Sequence, residues 1–222
     1  MNCHTTQTAA CGLAAPPRPP SRYDNPFATC WTRPGALEYR FSGGQTAERL
    51  VGKLASQNWQ GAIVGPHGSG KSTLLETLKP ALRAAGRRIF AVALRDGQRH
   101  LPRACLSWSH DQALVIVDGY EQLAWLERVR LERHCRRAKL ALLVTAHEPI
   151  RIPLLVRLET SRQLVQQLVA DLAARVSTPI TTADVAASHD CHGSNVREIF
   201  FDLYDRHERL RRGGRSDGFG GA

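Results

Sequence analysis

The stretch that most constrains the fold is "GAIVGPHGSGKSTLL", residues 61–75. A short apolar run, Gly61–Val64, precedes the spacing G-x-x-x-x-G-K-S, and helix-forming residues follow it. This order predicts a strand, then a loop whose backbone N–H groups turn inward, then a helix whose N-terminus carries partial positive charge. Such a loop binds phosphate groups. The members of the predicted phosphate loop are Gly65, Pro66, His67, Gly68, Ser69, Gly70, Lys71, Ser72 and Thr73.

Two side chains of this loop suit a nucleoside triphosphate with its metal ion. We expect Lys71 to reach the β- and γ-phosphates and the Ser72 hydroxyl to bind Mg²⁺. A second magnesium ligand is Asp118, which ends the apolar run "ALVIV". No N-K-x-D motif for guanine occurs, so the predicted ligands are ATP and Mg²⁺.

Five short apolar runs predict strands, and helical patterns separate them. These runs are Gly61–Val64, Ile89–Leu94, Ala113–Val117, Leu140–Thr145 and Leu154–Leu158. Strands that alternate with helices indicate an α/β fold of three layers, with a parallel sheet between helices. Runs without polar residues are typical of central strands that are buried on both faces.

After Glu159 the apolar residues follow helical spacing, which predicts a small helical lid. We expect Thr181 or Thr182 to cap one lid helix, and Asn195 with Glu198 resembles a capping box at the next. The predicted organisation is a disordered leader (1–22), a P-loop α/β domain (23–159), the helical lid (160–210) and a disordered basic tail (211–222).

Three polar residues near the predicted strand ends are candidates for the chemistry of hydrolysis. Gly119 follows Asp118, and the nearest carboxylate beyond it is Glu121. Glu121 is either the general base or an exposed glutamate whose charge favours the start of a helix. In the second case we expect slow hydrolysis. At the end of the next strand, Thr145 is the first candidate to contact the γ-phosphate and His147 the second. The alternative is ordinary strand-end polarity.

The order of these motifs resembles the AAA+ superfamily of P-loop ATPases. The resemblance implies a five-stranded sheet in the order 5-1-4-3-2 and places Arg197, near the start of a lid helix, as a further contact to the γ-phosphate. Residues 25–54 are similar to the lead-in of ExeA/TniB-type ATPases, which helps to enclose the adenine. Gly119 departs from most AAA+ proteins and is more like the STAND and NACHT ATPases. No arginine finger is identifiable.

The sequence "FSGGQ", Phe41–Gln45, is nearly identical to the signature of ABC transporters. That signature lies between the phosphate loop and the aspartate strand, whereas this copy precedes Gly65. The order therefore argues against an ABC ATPase. The sequence predicts a loop that turns into the helix "TAERLVGKLAS" and sets this helix beside the nucleotide pocket.

The chain of 222 residues has a formal net charge of +10, and only four of its 30 basic residues are lysines. Six of these basic residues lie in Leu126–Lys139, which is predicted to be a helix with Leu126, Val129 and Leu131 toward the sheet. Its arginines are either a nucleic-acid contact or a solvated face. No run is apolar for long enough to span a membrane, and the N-terminus lacks a secretory signal, so we expect a cytoplasmic protein.

The leading hypothesis is a chain that binds Mg·ATP, hydrolyses it and couples the nucleotide state to a rearrangement of the lid or of a partner. A protein partner, a second copy of the chain and nucleic acid are the candidate macromolecular partners. The alternatives are an ATP-binding switch or nucleic-acid adaptor with little turnover and, less favoured, a small-molecule kinase.

Overall fold

The computed structural model describes residues 24–95, 97–102, 105 and 111–213. The predicted leader and residues 214–222 of the predicted tail lie outside these ranges. The strands are β1 (Gln60–Val64), β2 (Arg88–Ala93), β3 (Ala113–Asp118), β4 (Ala141–Ala146) and β5 (Leu154–Arg157). The helices are α1 (Thr29–Thr32), α2 (Ala47–Ser56), α3 (Lys71–Ala84), α4 (Trp125–Arg137), α5 (Arg162–Ala173), α6 (Thr182–His192) and α7 (Val196–Gly213).

The five strands form one sheet in the order β2-β3-β4-β1-β5, and every neighbouring pair is parallel. From the other edge this order is 5-1-4-3-2, so the predicted fold class and strand order are confirmed. In a parallel sheet all carboxyl ends lie at one edge, and ligands of open α/β sheets bind at that edge. Strand β4 lies between β1 and β3, so the segments that follow these three strands are neighbours.

The central strands are buried on both faces, as their apolar sequences predict. All of β4 is buried, and β3 is buried as far as Val117. One face packs against apolar side chains of α2 and α3, including Leu50, Leu54, Leu74, Leu78 and Leu82. The other face packs against α4, through Leu131 and Cys135, and against Tyr120 and Leu123.

The orientation of α4 differs from the prediction at its first turn. Leu126 is 64 % exposed, whereas Glu127, Leu131 and Cys135 face the sheet. Glu127 tolerates burial because its carboxylate accepts hydrogen bonds from the Leu101 N–H (3.3 Å) and from Arg130 (2.9 Å). The prediction for Leu126 is therefore wrong, and the prediction for Leu131 is confirmed.

The lid consists of α5, α6 and α7, which share an apolar cluster built around Val165, Leu172, Val185, Ile199 and Leu203. Thr181 caps α6 through a capping box with Asp184, which confirms Thr181 over its predicted alternative Thr182. Helix α7 continues to Gly213, three residues into the segment predicted as a tail.

Residues 24–41, here called the N-terminal strap, join the lid to the α/β domain. Asn25 is fully buried and donates hydrogen bonds to the Tyr204 carbonyl (3.1 Å) and to Glu208 (3.0 Å), both on α7. Phe27 packs in the lid cluster, with its ring centroid 6.3 Å from that of Phe200. Farther along, Tyr39 packs on the α2–α3 side of the sheet. The strap was predicted as part of the α/β domain, but its first half packs with the lid.

The "FSGGQ" segment forms the predicted loop. The Gln45 N–H donates to the Ser42 carbonyl (3.2 Å), and both glycines of this turn have positive φ angles, 61° and 69°. Thr46 then caps α2 by accepting a hydrogen bond from the Arg49 N–H at 3.2 Å. Among the described residues, no helix combines the length and the apolar composition that a membrane crossing requires.

In the observed orientation of α4, truncation of the buried Leu131 should destabilise the protein more than truncation of the exposed Leu126. Leu131→Ala should lower the free energy of unfolding by about 2–5 kcal/mol, because the side chain is fully buried and leaves a cavity. The control Leu126→Ala should change it by less than about 0.5 kcal/mol. Urea unfolding of both variants measures the difference. A larger loss for Leu126→Ala would contradict the observed orientation.

Candidate nucleotide site

The predicted phosphate loop connects β1 to α3 at the carboxyl edge of the sheet. Residues 65–70 form the connection, and Lys71, Ser72 and Thr73 begin α3. Lys71 is 8 % exposed, and its ammonium group donates hydrogen bonds to the carbonyls of Gly65 (2.6 Å) and Pro66 (2.8 Å). The backbone of the phosphate loop therefore holds the ammonium group of Lys71.

The charges around Lys71 identify the side chains that share its surroundings. Burial lowers the pKa of Lys71, the carboxylates of Glu121 and Asp118 oppose this effect, and Arg197 adds to it. All four residues were predicted as site residues from separate parts of the sequence. The fold brings them close enough for their charges to interact.

A buried hydroxyl links the ends of the two central strands. Thr145 has no exposed surface, and its hydroxyl donates to Asp118 Oδ1 at 2.8 Å. The Thr145 hydroxyl oxygen also accepts a hydrogen bond from the Gly119 N–H, at 2.8 Å. Thr145 thus holds Asp118 at the edge beside the phosphate loop. A hydrogen bond from Thr145 to a γ-phosphate oxygen would require the hydroxyl hydrogen to leave Asp118, because the hydroxyl has one hydrogen and the phosphate oxygen accepts. That role stays a prediction.

The backbone after Asp118 explains why no glutamate follows it. Gly119 has a φ of 85°, and a Cβ atom there would lie 2.8 Å from the Leu94 carbonyl oxygen. Both conditions disfavour a Cβ atom at this position. A turn of 3-10 helix, Tyr120–Gln122, follows and carries Glu121. Arg128 holds this turn, because it donates to the carbonyls of Glu121 (2.6 Å) and Leu123 (2.8 Å).

Glu121 belongs to a cluster with two histidines. Its Oε1 lies 3.1 Å from His147 Nε2, and the centroids of the His147 and His67 rings are 3.6 Å apart at an interplanar angle of 52°. The other carboxylate oxygen, Oε2, is buried and receives no hydrogen bond from the residues that the structure describes. Sequence reasoning named all three residues, but no spacing signal could show that they touch.

Helix α7 begins against the phosphate loop. A Cβ atom on Gly68 would clash with the side-chain oxygen of Asn195 and would lie 3.2 Å from the Arg197 backbone nitrogen. Asn195 also caps α7, since its Oδ1 accepts a hydrogen bond from the Glu198 N–H at 3.4 Å. The sequence indicated the cap and the position of Arg197 on the helix. It carried no sign that Asn195 touches Gly68.

Tyr39 of the N-terminal strap lies on another side of the loop. A Cβ atom on Gly70 would be 3.7 Å from Tyr39 Cε2. The Tyr39 N–H donates to the Thr77 hydroxyl on α3 (3.3 Å), and Phe41 packs edge-on at 5.1 Å between ring centroids. Burial raises the pKa of Tyr39. The resemblance of residues 25–54 to the ExeA/TniB-type lead-in includes this segment but does not single out Tyr39.

The donor atoms at the edge suit Mg²⁺ and not a softer metal ion. A serine hydroxyl (Ser72) and a carboxylate (Asp118) are hard oxygen ligands, and Mg²⁺ usually adds phosphate oxygens and water to one or two of them. Within the described ranges, no group of three His, Cys, Asp or Glu side chains is arranged to hold a metal ion. The residues therefore fit a magnesium ion that arrives with a nucleotide.

No protein-family profile matches the chain. A curated protein, the cobalt import ATP-binding protein CbiO of Rhodobacter capsulatus, is 35 % identical over 88 residues. That match covers 40 % of this chain and 31 % of CbiO, so the chain spans about a third of that relative's length.

Three solved structures of AAA+ ATPases resemble the fold. A mutant of RuvB from Thermotoga maritima superposes with a TM-score of 0.56 at 12 % identity, over 78 % of this chain and 64 % of RuvB. Hsp104 of S. cerevisiae with ADP gives 0.55 at 14 % identity, over 82 % of this chain and 32 % of Hsp104. AMPPCP-bound DnaA from Aquifex aeolicus gives 0.51 at 15 %, over 82 % and 68 % of the two chains. The chain therefore has the P-loop NTPase fold, and its structural neighbours are AAA+ P-loop ATPases.

Because the backbone at position 119 favours glycine, substitution of Gly119 should destabilise the protein. Gly119→Ala should lower the free energy of unfolding by about 1–3 kcal/mol, because the positive φ and the approach of the Leu94 carbonyl both disfavour a Cβ atom. The control is Gly52→Ala at an exposed position of α2, where a Cβ atom meets nothing within 4 Å. That control should stabilise the protein by about 0.5–1 kcal/mol. Equal denaturation curves for the two variants would contradict the described backbone.

Proposed function

We propose that the chain binds Mg·ATP, hydrolyses it to ADP and phosphate, and uses the nucleotide state to move the lid. The observation that carries this proposal is the convergence of Lys71, Asp118 and Glu121 on the phosphate loop. A lysine for the phosphates, a carboxylate for the metal and a carboxylate for the water are the parts that phosphoryl transfer to water requires. The proposal includes a role for the ExeA/TniB-like lead-in, residues 25–54, in enclosing the adenine. Tyr39 of this segment lies beside Gly70 of the phosphate loop, which supports this role.

In the binding step, phosphate oxygens would replace the carbonyls that now accept from Lys71. The Gly65 and Pro66 carbonyls are neutral acceptors, whereas the β- and γ-phosphates are anions and bind an ammonium group more strongly. The N-terminus of α3 adds backbone N–H donors. Ser72 and Asp118 would hold Mg²⁺, which neutralises the charge that builds up on the phosphates.

In the hydrolysis step, a water oxygen forms a bond to the γ-phosphorus while the bond from that phosphorus to the β–γ bridging oxygen breaks. ADP leaves with the bonding electron pair, and Glu121 accepts a proton from the water. Oε1 of this carboxylate lies 3.1 Å from His147 Nε2, and Oε2 receives no hydrogen bond from any described residue. A buried carboxylate oxygen without a donor is costly, so Oε2 is suited to a water or ligand hydrogen.

Two contacts tie the lid to the phosphate loop and support the coupling part of the proposal. Asn195 and Arg197 lie against Gly68, and Arg197 contributes charge at Lys71. The N-terminal strap links α7, through Asn25, to the loop, through Tyr39. Phosphates that enter the loop would meet the start of α7, with Arg197 as the γ-phosphate contact. A protein partner or a second copy of the chain would respond to that movement.

Substitution of the proposed base should separate binding from turnover. Glu121→Gln should lower the rate of phosphate release by about 10²- to 10⁴-fold, because the amide cannot accept the proton. Binding of a fluorescent ATP analogue should stay within about threefold, since Glu121 does not hold the phosphates. The control Glu48→Gln changes an exposed glutamate on α2 and should leave both quantities unchanged. Full turnover by Glu121→Gln would rule out this base.

A second candidate function, a nucleic-acid adaptor that binds ATP with little turnover, rests on the surface of α4. Arg130, Arg133 and Arg137 are exposed at the spacing i, i+3, i+7, which places them on one stripe. Of these, Arg133 and Arg137 form no salt bridge with any residue that the structure describes, and Trp125 at the start of the helix is 72 % exposed. Exposed arginines can contact phosphates, and the exposed aromatic ring at the start of the same helix can stack on a base.

Charge reversal on this stripe tests the second candidate. Arg133→Glu should weaken binding of a labelled single-stranded or duplex DNA and reduce the salt dependence of the binding constant by about one phosphate contact or more. The matched control is Arg83→Glu, an exposed arginine on α3, on the other side of the sheet. Fluorescence anisotropy at several salt concentrations measures both. An equal effect of the two reversals would contradict a specific α4 surface. Wild-type protein that binds ATP and DNA without measurable turnover would favour the adaptor over the ATPase.

A further inference from the structure

The steps proposed above assign no role to the side chain of His147, and His67 enters them only as a member of the phosphate loop. His67 belongs to the phosphate loop and is exposed, whereas His147 follows β4 and is partly buried. The two ring centroids are 3.6 Å apart, and His147 Nε2 is 3.1 Å from the Glu121 carboxylate. The pair thus forms a continuous connection from the loop that would grip the phosphates to the carboxylate that would accept the proton.

We propose that His147 is a positioning residue that holds the Glu121 carboxylate for proton abstraction, and that His67 ties this pair to the phosphate loop. The inference rests on the proposed ATP hydrolysis with Glu121 as base. It adds a residue that acts through Glu121 and touches neither the phosphates nor the water. It also makes turnover depend on the protonation of His147.

The surroundings of His147 determine its charge at neutral pH. Burial is the largest influence and lowers its pKa below the ordinary 6.5, and Lys71 and His67 lower it further. Glu121 and Glu148 act in the opposite direction. His147 is therefore a neutral imidazole at neutral pH. A neutral imidazole has one N–H, which can donate to Glu121 Oε1 and leave Oε2 for the water.

Acid should switch this arrangement off. Because the pKa of His147 is lowered, the ring stays neutral through the neutral range and becomes a cation only on the acid side of 6.5. The imidazolium would then form an ion pair with Glu121 and compete with the proton of the water for the carboxylate. Turnover should consequently fall as the pH drops through the lowered pKa of His147.

Two substitutions of His147 separate positioning from titration. His147→Gln keeps an N–H donor but cannot titrate, so turnover at pH 8 should change by less than about threefold and this acid limb should disappear. His147→Leu removes the donor, and misplacement of the base should lower kcat on the order of 10²-fold at every pH. KM for ATP should stay near the wild-type value in both variants, since the proposed site assigns His147 no contact with the nucleotide.

Further variants test the role of His67 and control for folding. His67→Gln should shift the acid limb to higher pH, because one influence that lowers the pKa of His147 is weakened. The control His100→Gln changes an exposed loop histidine and should reproduce the wild-type pH profile. Thermal melting identifies any variant that fails to fold. Wild-type kcat in His147→Leu, or an unchanged acid limb in His147→Gln, would overturn the inference.

Histidine NMR supplies a measurement that does not need turnover. Glu121→Gln should lower the pKa of His147 further, because it removes the carboxylate that raises it, and Glu48→Gln should leave that pKa unchanged. Absence of ATP hydrolysis by the wild type would reject the proposed function. A pKa of His147 that is the same in Glu121→Gln as in the wild type would reject the inference even if the protein is an active ATPase.

Discussion

The buried hydroxyl of Thr145 is the interaction on which the rest of the site depends. It joins the ends of β3 and β4 by donating to Asp118 and accepting from the Gly119 N–H, both at 2.8 Å. A hydroxyl with both functions satisfied is stable in a core where an unpaired polar group is costly. Because β4 lies between β1 and β3, this link also fixes Asp118 relative to the phosphate loop.

Glycine after Asp118 then decides where the proposed base can lie. The positive φ and the nearby Leu94 carbonyl disfavour a side chain at position 119, and the chain continues through a short turn to Glu121. At that position the carboxylate lies beside His147 and interacts with the charge of Lys71. In the proposed mechanism this backbone places the base at Glu121 and not directly after Asp118. It also creates the contact with the histidine pair.

The sequence predicted those elements of the structure that depend on residues close together in the chain. The five strands agree with the apolar runs within one residue at each end. For β1, β3 and β4 the reason is that parallel strands buried on both faces need uninterrupted apolar residues. The misplacement of Leu126 arose because the burial of Glu127 depends on the Leu101 N–H, 26 residues away. The strap's attachment to α7 spans 179 residues, from Asn25 to Tyr204. The cluster of His67, Glu121 and His147 likewise comes from three separate segments, and no spacing rule connects them.

The most direct test of the central claim is a crystal structure of the protein with a non-hydrolysable ATP analogue and Mg²⁺. We expect phosphates in the loop of residues 65–72, with Lys71 moved from the Gly65 and Pro66 carbonyls to the β- and γ-phosphates. We also expect a magnesium ion bound by Ser72 and Asp118. A loop without nucleotide at saturating analogue, with Lys71 still bonded to both carbonyls, would contradict the central claim.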